Sequence, residues 1–147
     1  MVSIDTKRGV MAERIESELE VKTYLDRLRY ALDNGATIQL QVIRKVDIDR
    51  APQFTNRYTI AELFPDEDPV NALKRELRAL TVKNYIRTVS DINMPNRSEM
   101  REFGKVYPGP KEIYIKLRVE LQGKNYVFVM SFHHTTIPFT KTVFPYA

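Results

Sequence analysis

The sequence predicts an α+β fold in which N-terminal helices pack on a mostly antiparallel sheet. Helical periodicity is concentrated early, within Met11 to Asn34 and Pro69 to Leu80, whereas Lys83 to His134 reads as strands in succession. The 147-residue length suits one domain with a real core and is short for two. A single domain over 1–147 is therefore expected, with 1–10 loose and 135–147 a C-terminal extension.

In chain order, Ile15, Leu19, Tyr24, Leu25, Leu28, Ala31 and Leu32 recur at spacings of three and four, which predicts an amphipathic helix. Asn34-Gly35 marks its exit, because this pair adopts the left-handed cap readily. Alternation from Ile38 to Val46 predicts a strand, Asp49 to Arg57 a loop, and Tyr58 to Phe64 a short helix stopped by Pro65. Asp68-Pro69 then starts a helix whose stripe is Val70, Leu73, Leu77 and Leu80. Lys83 to Asp91 alternates as a strand with Tyr85, Arg87 and Val89 on one side and Ile86 on the other. A proline turn over Asn93 to Asn96 and a strand over Arg101 to Tyr107 follow, and Pro108-Gly109-Pro110 leads into a final hairpin.

The hairpin joins Glu112–Leu121 to Asn125–His134. A two-residue Gly123-Lys124 loop of type II′ pairs Tyr114 with His133, Lys116 with Ser131 and Arg118 with Val129. The same register puts Ile113, Ile115, Leu117, Val119 and Leu121 on a core face with Tyr126, Phe128, Met130 and Phe132, and His134 points to that face in a structural role. The opposite face gathers a phenol, an imidazole and two cations. The tail from Thr135 to Ala147 carries Phe139, Phe144 and Tyr146 among its prolines, a composition that packs on the domain or on a partner.

Composition narrows the chemistry. The net charge of +4, with the basic excess lying after Pro69, suits nucleic-acid contact without requiring it. With no cysteine there are no disulfides or thiolate nucleophiles, and two adjacent histidines argue against a histidine-rich metal site. No glycine-rich phosphate loop occurs, Ser131 lacks a nucleophile elbow, and Asp66-Glu67-Asp68 reads as a turn and helix cap. No apolar run approaches the roughly 20 residues that cross a bilayer, and Met1 to Val10 is unlike a signal peptide. A cytoplasmic protein with no membrane contact, no metal and no cofactor is the expectation.

The segments LTVKNYIRTVSD, REFGKVYP, EIYIKLRVEL and YVFVMSFH resemble, in order and spacing, the C-terminal portion of the MqsR toxins, a branch of the RelE-like ribonucleases. The similarity covers Leu80 to His133. RLRYALDNG and NRYTIAELF are similar to the family's first helix and following segment, separated here by a long insertion. The resemblance implies a RelE/MqsR-like fold, metal-free cleavage of messenger RNA, and a cognate antitoxin, with the ribosome as a further candidate partner. It places the family's tyrosine on Tyr114, one of its lysines on Arg87 and another on His133. A family glutamine falls on Gly104, and the chain runs past the family's usual end by more than a dozen residues.

Metal-free RNA cleavage needs a base for the ribose 2′-OH, cations for the charge developing on phosphorus, and an acid for the 5′-oxygen. His133 suits the proton transfers, since imidazole titrates near neutrality. Tyr114 either shares them or orients the phosphate. Arg87, Lys116 and Arg118 are the phosphate-holding candidates. The plainer readings are a strand-end histidine, a cross-strand aromatic pair, and cations that solvate a sheet and deter edge pairing. The leading expectation is an endoribonuclease toxin. The alternative is a non-catalytic RNA- or protein-binding module of the same fold, and a third is an interaction protein working through Phe139 to Tyr146.

Overall fold

The computed structural model describes residues 2–5, 9–41, 50–91, 98–121 and 125–147. Its elements run β1 (Val2–Asp5), β2 (Gly9–Arg14), α1 (Glu18–Asp33), β3 (Thr37–Leu40), α2 (Asn56–Leu63), α3 (Pro69–Arg78), β4 (Tyr85–Asp91), β5 (Met100–Tyr107), β6 (Lys111–Glu120) and β7 (Tyr126–His134). The strands form one sheet in the order β1-β2-β4-β5-β6-β7-β3, antiparallel except for the parallel pair β3 and β7. The α+β class is as the sequence predicts. No helix among the described residues is long and apolar enough to cross a membrane.

Helices α1 and α3 begin where the sequence supplies a cap. The Ser17 hydroxyl accepts from the Glu20 amide at 3.1 Å while the Glu20 carboxylate accepts from the Ser17 amide at 2.9 Å, a reciprocal capping box. Asp68 accepts from the Asn71 amide at 2.9 Å, and Pro69 opens α3 where no helical donor is lost. The inward stripes, Val21, Tyr24, Leu25, Leu28 and Leu32 of α1 and Leu73 and Leu77 of α3, join Ile60 and Phe64 in one core with Phe103, Ile113, Ile115, Leu117, Val127, Val129 and Phe132 of the sheet. Burial of these side chains, at about 25 cal/mol per Å² of apolar surface, is the main force holding helices to sheet.

The N-terminal expectation is corrected. Residues 2–5 and 9–14 pair as a hairpin, and β2 continues onto β4 through Ala12 with Ser90 and Arg14 with Thr88. The first helix therefore starts at Glu18 rather than Met11, and Ile15 and Leu19 are exposed instead of lying on its buried stripe. Ile15 lies before the helix, and Leu19 is in its first turn on the exposed side. The helix expected from Tyr58 starts earlier, at Asn56. Strand β3 ends at Leu40, with the Gln41 amide still donating to the Val129 carbonyl at 2.9 Å, and residues 42–46 of the strand expected to Val46, the proline turn at Asn93 and the Gly123-Lys124 loop lie outside the described residues.

Two irregularities decide which side chains face away from the helices. Between Tyr85 and Arg87 the β4–β5 register shifts, so Tyr85 pairs with Phe103 over the core while Arg87 pairs with Glu102 on the opposite face. The expected placement of Tyr85 and Arg87 on one side is thus overturned by a bulge at Ile86. In β7, pairing runs Tyr114 with His133 and Lys116 with Ser131, then Leu117 with Val129 and Arg118 with Phe128, leaving Met130 as the extra residue. Val127 and Val129 consequently occupy the core, and Phe128 does not.

Candidate active site

Because β5, β6 and β7 alternate, Glu102, Tyr114, Lys116, Ser131 and His133 share the sheet face turned away from the helices. The bulge at Met130 sets where that face begins on β7, and one side chain secures it. Asn56 at the start of α2 donates to the Met130 carbonyl at 2.9 Å and to the Gln41 carbonyl at 2.6 Å, and accepts from the Phe132 amide at 2.8 Å. Backbone groups that the bulge removes from the ladder are thereby satisfied.

These residues floor a cleft of about 600 Å³ that Arg50, Arg87, Glu13, Ile15 and the tail residues Ile137, Phe139, Lys141 and Val143 also line. The Tyr114 and His133 rings stand 5.8 Å apart, tilted by 44°. The imidazole is 4% exposed and sits low in the floor. Its Nδ1 lies 2.8 Å from the His134 carbonyl, which can only accept, so Nδ1 carries a proton. His134 is on the helix side, its Nε2 2.6 Å from Glu62 Oε1, in the structural position the sequence implies.

Arg87 donates to Glu102 Oε1 at 2.9 Å and is also paired with Glu13. Burial weighs against the guanidinium's charge, but the two carboxylates more than offset it and raise its pKa above the ordinary arginine value. Arg87 thus enters the cleft already neutralised. Lys116 lies directly across from Glu102. Arg118 is not brought to the cleft: its guanidinium stands 4.8 Å over the Phe128 ring and 3.6 Å from Glu120, because the bulge gives it Phe128 rather than Val129 as its partner. Of the five sequence-predicted residues, four therefore meet at the cleft and one does not.

Glu13, Arg50, Glu102 and Lys141 escaped the sequence reading. Glu102 had a visible signal, since it alternates with Gly104 on a strand beside Tyr114; Glu13 and Lys141 depend on contacts distant along the chain. Among the described residues no three His, Cys, Asp or Glu side chains are grouped to hold a metal ion.

The tail is docked. Phe139 and Phe144 meet edge to face at 5.2 Å above Gly104, and Tyr146 stacks on Tyr85 at 6.2 Å and donates to the Glu16 carbonyl at 2.6 Å. Phe139 also donates its amide to Glu112 Oε1 at 3.1 Å. Any side chain at position 104 would occupy the space of these rings, so the glycine and the docked tail depend on each other. No protein-family model, curated protein or solved structure matches the chain.

Proposed function

We propose that the protein is a metal-independent endoribonuclease of RelE/MqsR-like fold, acting as the messenger-RNA-cleaving toxin of a toxin–antitoxin pair in the cytoplasm. The supporting observation is the juxtaposition of Tyr114 and His133 on the floor of a cleft that also presents Arg50, Lys116 and Lys141. The ribose 2′-oxygen attacks phosphorus as the bond to the 5′-oxygen breaks. His133 Nε2 takes the 2′-OH proton, Tyr114 supplies a proton to the departing 5′-oxygen, and the cations stabilise charge on the phosphoryl oxygens. Arg87, held by two carboxylates, orients Glu102 and the adjacent Lys116 more than it grips phosphate. The cognate antitoxin is the protein partner of this reading, and the ribosome a second.

The test is incubation of the purified protein with RNA in EDTA. Fragments ending in 2′,3′-cyclic phosphate, lost in His133→Ala with RNA affinity retained, are expected. Ends bearing 3′-hydroxyl, or cleavage abolished by the chelator, contradict the mechanism. The low exposure of His133 favours one second reading, a binding module of the same fold that holds RNA without cutting it. It predicts binding with no cleavage in any variant.

A further inference from the structure

We infer that the C-terminal segment builds a nucleobase seat at the mouth of the cleft, an inference that rests on RNA being the ligand. The tail lines the cleft without filling it: with Phe139 and Phe144 docked on Gly104, about 600 Å³ stays open above Tyr114 and His133. It is a wall and not a plug. The lip of that wall is apolar and turned to solvent, with Ile137 57% and Val143 74% exposed, and Ile15, 55% exposed, contributes to the same lining from the segment between β2 and α1. Three large aliphatic side chains exposed around one opening are an apolar patch awaiting a partner surface. Lys141, in the same wall, and Lys116, in the floor, put positive charge beside it.

A ligand matching both features carries a flat, weakly solvated group next to an anion, and a nucleotide of single-stranded RNA does so, its base against the aliphatic lip and the Phe139 ring and its phosphate toward the lysines. The seat would let the tail select for an exposed base while the floor does the chemistry.

Affinity separates this seat from the proposed cleavage. In a His133→Ala background, a labelled single-stranded RNA hexamer and an abasic hexamer with the same phosphates are titrated by fluorescence anisotropy. The base-bearing RNA is expected to bind about tenfold more tightly, in the range of contacts to a single base. The doubly substituted Ile137→Ser, Val143→Ser protein should lose that preference while keeping its affinity for the abasic strand and its melting temperature, since both side chains are exposed. Equal affinity of the parent for the two strands, or a preference that survives in the double variant, overturns the seat. Failure of both strands to bind overturns the seat and the RNA reading together. A preference of the expected kind in a protein that never cleaves RNA supports the seat and overturns only the nuclease.

Discussion

Phe144 Cζ lies 2.8 Å from where a Cβ on Gly104 would stand, and Phe139 Cζ lies 2.7 Å from the same point. The position is glycine because two rings rest on bare backbone, without any need for a positive φ. Substituting Gly104→Val should cost about 1–3 kcal/mol in urea unfolding, the usual range for overpacking. It should also loosen the tail, so that trypsin cuts after Lys141 faster than in the parent. In a Phe139→Ala, Phe144→Ala background the same substitution should cost much less, and an unchanged cost there would show that the rings are not the obstacle.

Asn56 is 1% exposed and all three of its hydrogen bonds reach backbone, two of them flanking Met130. Asn56→Ala leaves buried carbonyls and an amide without partners, a loss of about 2–3 kcal/mol. Asn56→Asp should be no better, since a carboxylate would face the Gln41 and Met130 carbonyls with no proton to give. If the bulge is what holds Ser131 and His133 on the cleft face, Asn56→Ala should also lower RNA cleavage more than an equally destabilising core change such as Leu73→Ala. Equal losses of activity at equal stability would detach the bulge from the site.

How much of this could be read from the sequence depends on how local each feature is. The stripe of Leu73 and Leu77, the Asp68-Pro69 cap and the facing of Tyr114 with His133 follow from spacing within single segments or one hairpin. The extra residue at Met130 has no such mark: no glycine or proline signals it, and the amide that stabilises it comes from Asn56, far earlier in the chain. A register continued without interruption therefore held from Ile113 to Lys116 and failed at Arg118, where one added residue exchanged Val129 for Phe128. The β1–β2 hairpin stayed hidden for a related reason. Ile15 continues the helical period backward from α1 although the backbone just before it, through Arg14, is paired in the sheet.

Glu102 is 3% exposed and receives the Arg87 guanidinium. Removing the arginine strands a buried carboxylate, so Arg87→Met should destabilise the protein by about 2–3 kcal/mol, discounted because Arg87 is itself more than a third exposed. The double variant Arg87→Met, Glu102→Met should regain much of that loss, which denaturant titration of the four proteins would measure. RNA affinity should fall in Arg87→Met, because the Glu13 and Glu102 carboxylates are then uncompensated beside the cleft, and should recover in part in the double variant. A loss of equal size in both variants would make Arg87 itself the phosphate clamp.

Glu16 ties the sheet to the start of α1. Burial would raise its pKa, but hydrogen bonds from Arg101 at 2.8 Å and from Thr88, with the charges of Arg101 and Arg14, hold the carboxyl below its ordinary value. A carboxyl with a folded pKa lower than its unfolded one stabilises the fold fully above the unfolded value, about 4.3, and loses that contribution as the pH falls through the folded value. Glu16→Gln should therefore lower the melting temperature most near pH 7 and progressively less on acidification, the two proteins converging once the pH has passed below the folded value and the parent carboxyl is neutral. Melting curves taken across that range check the sign. A gap between the proteins that stays constant, or widens in acid, would mean that the Glu16 charge contributes nothing and that its hydrogen-bonding shape alone holds the junction.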